Sequence, residues 1–223
     1  LFGGATLQQV GLLYTTAGKA GFITGLYLVI VPLIGFCLRQ KIDKLTIAGA
    51  LIATYGLYLL SITEGFNIGQ GDTLVLIGAF FWAVHVQVVG YAAKYKLDAL
   101  KLAILQYLIC AGLNLVLALF LEEFSMQATL DASGAILYAG LISVGVAYTL
   151  QIVAQKHIDP SRAAIILSLE AVFAVLGAWL AIILGLSFAK ADEILNSRQA
   201  WGCILMFAGM MLSQLPGLGK KKS

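Results

Sequence analysis

Apolar stretches of about twenty residues recur along the whole chain, with short polar intervals between them. They fall at approximately 1–17, 20–38, 45–63, 71–93, 98–121, 133–155, 160–187 and 198–215. Each interval carries charge, Gly, Asn or Pro, as helix ends at a membrane surface do. About twenty residues at about 1.5 Å each match a hydrocarbon core of about 30 Å. A segment in lipid must satisfy its own backbone, so each stretch is predicted to be a helix. The alternating ten-residue segments of a β-barrel are absent. The pattern predicts an all-α polytopic membrane protein with about eight helices.

One carboxylate breaks the pattern where it costs most. Between Pro160 and Leu184 the chain is apolar except for Glu170 and the polar residues of its first turns. Glu170 lies ten residues from Pro160, or about 15 Å into the bilayer. A charge at that depth costs on the order of 3 kcal/mol on insertion scales. Such a group faces a bundle interior or a wet cavity. It is therefore a candidate solute- or proton-binding group, or else a protonated carboxyl that ties two helices together.

Composition narrows the class. Only 11% of the 223 residues are charged and mean hydropathy is +0.95, against about 25% charged in soluble domains. The net charge of +3 is spread in short clusters between apolar runs, which is no nucleic-acid signal. Cys37, Cys110 and Cys203 have no metal-ligand spacing and read as packing residues. No HExxH, phosphate loop or second intramembrane carboxylate is present, so no enzyme, metal or cofactor is expected. Lys and Arg number eleven on one side of the predicted spans and three on the other. That bias predicts a cytoplasmic C-terminus, ending in the basic tail 219–223.

An internal repeat is visible. Leu7-Gln8-Gln9-Val10 and Leu150-Gln151-Ile152-Val153 stand 143 residues apart. The same offset pairs Lys19 with Arg162, Ile23 with Ile166, Leu26 with Leu169, and Leu33 with Leu176. After a ten-residue insertion, Gly49 and Gly56 pair with Gly202 and Gly209. The repeat unit is five spans. An odd number forces the halves into opposite orientations, as in inverted-repeat secondary transporters. The expected units are 1–66, the latter part of a first repeat, and 71–218, a complete second repeat. Because the chain opens with Leu1 inside an apolar stretch, it is expected to be an N-terminally truncated piece of a ten-helix protein.

Leu150–Val153, Asp159-Pro160-Ser161-Arg162-Ala163-Ala164 and Leu167-Ser168-Leu169-Glu170 resemble the EamA-like members of the drug/metabolite transporter superfamily. So do Thr15–Phe22, Val31-Pro32 and Phe80-Phe81-Trp82-Ala83. The resemblance covers essentially the whole chain. It implies two inverted five-helix repeats, cytoplasmic termini, and transport, usually export, of small metabolites, amino acids or drugs. Two departures stand out. Ala171 follows Glu170 where the family often has proline, which removes the expected cause of a kink. Leu184-Gly185-Leu186 stands where the family often has Leu-Gly-Glu.

Further candidates for the solute or proton site are His85, Gln8, Gln151, Gln106, Asn114 and Tyr148. His85 sits mid-span and titrates near neutral pH in water. Gln87, two residues on, points to another helix face. Gln8 and Gln151 occupy matching repeat positions, lining a cavity or joining helices. Gln106 and Asn114 lie near one helical face and could form a polar stripe. Gly21 with Gly25, and Gly140 with Gly145, would permit close helix approach. The expected partners are a small-molecule substrate and the lipid bilayer, with a homodimer allowed. The expected location is the plasma (inner) membrane. The competing expectation is a membrane scaffold or biogenesis partner with no transport of its own.

Overall fold

In the computed structural model, residues 1–62, 68–184 and 196–215 are described. They form α1 (Phe2–Leu12), α2 (Ala17–Gly25), α3 (Tyr27–Cys37), α4 (Lys44–Ser61), α5 (Gln70–Lys94) and α6 (Ala99–Leu121). Next come α7 (Met126–Asp131), α8 (Ser133–Leu137), a π-helical stretch over Tyr138–Tyr148, and α9 (Thr149–Ala154). The chain continues through α10 (Pro160–Leu167), α11 (Glu170–Ile183) and α12 (Ser197–Gln214). The described residues contain no strand. Six helical stretches among them are long and apolar enough to span: Ala17–Cys37, Lys44–Ser61, Gln70–Lys94, Ala99–Leu121, Ser133–Ala154 and Pro160–Leu180. The chain is thus an all-α polytopic membrane protein. Of the other two expected spans, α1 has 11 residues, about 16 Å. The 18-residue α12 carries Arg198, Gln199 and Gln214 at its ends. The basic tail and Lys190 lie outside the described residues.

Local chemistry sets where the helices begin. Thr16, Asp43, Asp98, Ser125 and Asn196 accept backbone N–H bonds at the starts of α2, α4, α6, α7 and α12. Such caps satisfy donors the helix cannot. Bonds from the Lys101 and Leu100 N–H groups hold the Asp98 carboxyl below its usual range. Its capping is therefore complete above the unfolded carboxylate pKa and is lost as pH falls through the lower folded value. Asp72 ties the start of α5 by accepting from the Gly69 N–H at 2.8 Å and from the Thr15 hydroxyl.

Two helix ends use a left-handed residue that is not glycine. Arg39 (φ 56°) follows α3 and Lys96 (φ 55°) follows α5. In each, the next N–H reaches back five residues: Gln40 to the Gly35 carbonyl at 2.9 Å, Leu97 to Ala92 at 3.4 Å. This closure normally takes glycine. The cations suit the negative end of a helix dipole, so backbone strain is accepted for charge placement. Arg39→Gly or Lys96→Gly should stabilise the fold by about 0.5–1 kcal/mol, read as a higher melting temperature in detergent.

Glycines decide which helices meet. A Cβ on Gly49 would lie 2.4 Å from the Gly209 carbonyl oxygen, and one on Gly209 would lie 2.5 Å from that of Gly49. Gly56 and Gly202 face each other in the same way at 2.7 Å. So α4 and α12 run antiparallel, backbone against backbone. This reciprocal exchange is what a two-fold axis between equivalent helices generates. A second seam, Gly4 and Gly11 against Gly71 and Gly78, packs α1 on α5. The expected close approaches at Gly21, Gly140 and Gly145 do not occur. Gly21 and Gly140 have open space, and Gly145 meets only the Gly140 carbonyl in its own segment. Those glycines sit on outward faces of their helices.

Around the α4–α12 seam, Leu28, Leu57, Leu60, Ile165, Leu169, Val172 and Met206 form the main core. Arg198 fastens one end. It donates to the Ile62 carbonyl at the close of α4 and lies 5.3 Å from the Tyr58 ring. Arg198→Met, which keeps the apolar stem, should cost about 1–2 kcal/mol through loss of this charged donor. A melting temperature equal to that of the parent protein would contradict it. By contrast, Leu119, Phe120, Leu141 and Ile142 on α6 and the π-helical stretch are exposed, as lipid-solvated faces are.

Candidate functional site

The Pro160–Leu184 stretch is not one straight helix. The Leu169 N–H bonds to the Ile166 carbonyl at 3.1 Å, a tightened three-residue turn, and α11 begins afresh at Glu170. Thus the chain breaks beside the carboxylate with Ala171, not proline, following it. Ser168 compensates within the turn, its hydroxyl donating to the Ile165 carbonyl at 2.8 Å. The Ala17–Cys37 span breaks likewise. The Leu26 N–H is shared between the Phe22 and Ile23 carbonyls, both at 3.2 Å, and α3 begins at Tyr27. The two breaks sit 143 residues apart, the offset of the repeat.

Glu170 has protein around most of it, yet its side chain is exposed rather than sealed into packing. Open space therefore adjoins the carboxyl. Tyr27 and Tyr148 are both near enough to feel its charge. From the other side, α5 supplies Trp82 and His85. The Trp82 ring stacks on Tyr148 with centroids 5.8 Å apart and meets His85 edge-on at 6.0 Å. The Trp82 indole N–H donates to Gln8 Oε1 at 2.9 Å. His85 Nε2 and Gln106 Oε1 are 2.8 Å apart, so the imidazole nitrogen is the donor. His85 Nδ1 and Gln106 Nε2 are buried and make no hydrogen bond among the described residues. Burying such groups unpaired costs on the order of 1–3 kcal/mol each.

Of the expected site residues, Gln8, His85, Gln106 and Tyr148 are thus joined through Trp82, with Glu170 beside Tyr148. Gln151 is half-buried and has no side-chain hydrogen bond among the described residues. Asn114 stands apart, eight residues or about 12 Å along α6 from Gln106. It accepts from Thr6 at 2.9 Å and donates to the Cys110 carbonyl at 2.9 Å. There it lines a cavity of about 360 Å³ with Thr6, Gln9, Leu117 and Glu122. The polar stripe on α6 is therefore two separate polar groups. Gln87 turns away from His85, as its spacing predicts. It donates to the Val31 carbonyl at 2.8 Å and accepts from Gln40 at 2.9 Å.

Two residues of this cluster are not singled out by the apolar pattern. Trp82 finds its partner Gln8 74 positions away. Tyr27 lies within an apolar run, although the offset of 143 that aligns the halves sets it opposite Glu170.

Comparison with known proteins gives these features a family. The EamA-like transporter family matches residues 69–215. The chain belongs to it. A protein named "Uncharacterized transporter" from Archaeoglobus fulgidus is 34% identical over 216 residues, 96% of this chain and 66% of its own length. Another from Acidianus ambivalens, "Uncharacterized transporter in sor 3'region", is 27% identical over 143 residues, 63% of this chain and 54% of its own. The chain thus spans between half and two thirds of the curated relatives it matches. A crystal structure titled only "Crystal structure of protein" shares the fold, with a TM-score of 0.75 at 20% identity. It matches 96% of this chain and 72% of that one. An EamA-like chain with six apolar helical stretches of spanning length among its described residues is an integral multi-pass membrane protein.

Proposed function

We propose that this EamA-like chain is the larger part of a secondary transporter that exports small organic solutes by alternating access. The observation that carries the reading is the pair of broken helices at equivalent repeat positions, one opening on Glu170. Broken helices at the midplane between inverted repeats are where secondary transporters hold solute and coupling ion. The halves are residues 1–66 and 71–218, related across the α4–α12 glycine seam. A carboxylate accepts hydrogen bonds from a solute, or a proton, when the cleft is wet. His85, Gln106, Gln8, Trp82 and Tyr148 form the opposite wall, and the buried, unpaired His85 Nδ1 and Gln106 Nε2 would reach a solute only when the helices around them part. Gln151 and Asn114 are the more remote members of the proposed lining. Solute metabolites, amino acids or drugs fit a polar cleft with aromatic walls.

The membrane is proposed to be the plasma (inner) membrane, with the C-terminus cytoplasmic. A reporter fused after residue 222 should read out as cytoplasmic, and an extracytoplasmic signal would reverse the orientation. The deciding experiment uses the full-length protein in cells, with its Glu170→Gln variant and an empty-vector control at matched membrane levels. Metabolites inside and outside are compared by mass spectrometry. A solute released only by the unmodified protein supports export through this site. Identical profiles in all three strains would overturn export and favour the scaffold alternative.

A further inference from the structure

Tyr27 and Glu170 are the same residue position in the two repeats. The offset of 143 that pairs Leu7 with Leu150, Lys19 with Arg162 and Leu26 with Leu169 pairs Tyr27 with Glu170. Each is the first residue of the half-helix after a break, α3 in one repeat and α11 in the other. Each therefore stands where a span has loosened its backbone ladder. The Tyr27 ring is 6% exposed and packed against Val31, Ala83, Val86 and Ala164, with Trp82 alongside. Its hydroxyl is treated differently from its ring. Tyr27 has no hydrogen bond among the described residues. Nor is its oxygen one of the polar atoms sealed from a water-sized probe without a partner. A phenol with a fixed ring and an unpaired hydroxyl that is not wholly sealed is a hydrogen-bonding group held ready. Glu170 and Tyr148 are both near enough to act on it electrostatically.

We infer that Tyr27 is the first repeat's counterpart of Glu170, a solute-binding residue whose hydroxyl faces the same cleft from the opposite wall. This rests on the reading of that cleft as the solute site. The chemistry is complementary. An ionised Glu170 only accepts hydrogen bonds, whereas the Tyr27 hydroxyl both donates and accepts. No Lys or Arg lies between Tyr27 and Cys37, between Ser133 and Ala154, or between Glu170 and Ile183. The solute class that fits therefore offers a donor or positive group to Glu170 and an acceptor to Tyr27. A solute with only anionic groups would have Tyr27 as its one donor there and Glu170 as a repellent.

Two experiments on the full-length protein test this. In a variant with Cys37, Cys110 and Cys203 replaced by serine, Tyr27→Cys and Glu170→Cys are made singly. Both are treated in membrane vesicles with the trimethylammonium-ethyl methanethiosulfonate cation. Labelling of both positions is expected, at rates within about tenfold of each other. Labelling of position 170 alone would overturn the inference and leave the cleft standing. Labelling of neither would remove the wet cleft itself.

Because Tyr27→Cys empties a packed ring position, Tyr27→Phe provides the second test. It deletes one oxygen and keeps the ring. Release of the metabolites that distinguish producing cells from the vector control is expected to fall about tenfold at equal membrane level. Unchanged release in Tyr27→Phe, with release lost in Glu170→Gln, refutes a binding role for Tyr27. Unchanged release in both refutes the site reading instead.

Discussion

Replacing Gly49 with alanine is expected to force α4 away from α12 and to lower the stability of the folded protein sharply. The added Cβ would lie 2.4 Å from the Gly209 carbonyl oxygen and 3.1 Å from the Ser213 nitrogen. A backbone oxygen cannot rotate aside, so the helices must separate by a large part of an ångström. Separation strips dispersion contacts along the α4–α12 interface, the most extensive helix pairing among the described residues. Overpacking costs about 1–3 kcal/mol, and a backbone obstacle puts this case at the upper end. Gly209→Ala should behave alike, since its Cβ would meet the Gly49 carbonyl at 2.5 Å. The double variant should cost less than the sum of the two, because one separation relieves both clashes. Gly21→Ala supplies the contrast. Its Cβ would meet nothing within 4 Å, so helix propensity alone applies and favours alanine by up to about 1 kcal/mol. Thermal melting in detergent reads all four. A Gly49→Ala protein that melts with the parent would dissolve the seam.

Glu170→Gln is expected to abolish concentrative transport while leaving the protein folded and at normal membrane levels. The amide has the shape of the carboxyl, so packing around α11 is kept. It can neither ionise nor carry a proton. A proton moving down 100 mV supplies about 2.3 kcal/mol, enough for a solute gradient of roughly 50-fold at about 1.4 kcal/mol per tenfold. The variant should let solute equilibrate at best, so the release ratio collapses toward one. Glu170→Asp, which keeps the charge but withdraws it by one methylene, should retain partial activity. The scaffold alternative makes the opposite forecast for Glu170→Gln: reduced folded protein, with turnover per molecule having no meaning.

The spans were legible because burial in lipid writes itself as length and apolarity, and six of them recur as helices of spanning length. Glu170 was legible because a charge in such a run is costly. The pairing of Gly49 and Gly56 with Gly202 and Gly209 was legible through the repeat. The crossed contact, Gly49 on Gly209, appears only once the two helices are set antiparallel. The breaks at Leu26 and Leu169 were hidden. A turn tightened by one residue leaves the hydrophobic pattern unchanged, and Ala171 removed the proline that would have advertised it. The cluster around Trp82 was hidden for another reason. Gln8, His85, Gln106 and Tyr148 come from four stretches, and apolar periodicity does not say which of them are neighbours. Glycine spacing misled at Gly140 and Gly145, because a small residue permits an approach without supplying a partner.

The π-helical winding of Tyr138–Tyr148 has a mechanical meaning. A ladder of i→i+5 bonds holds more residues per turn than an α-helix. Each residue rewound from π to α geometry would rotate everything downstream by roughly 15–20°. The segment thus acts as a stock of slack ahead of Thr149–Ala154. Rewinding the whole stretch would re-aim Gln151 and swing Tyr148 off the Trp82 ring, with the span still continuous from Ser133 onward.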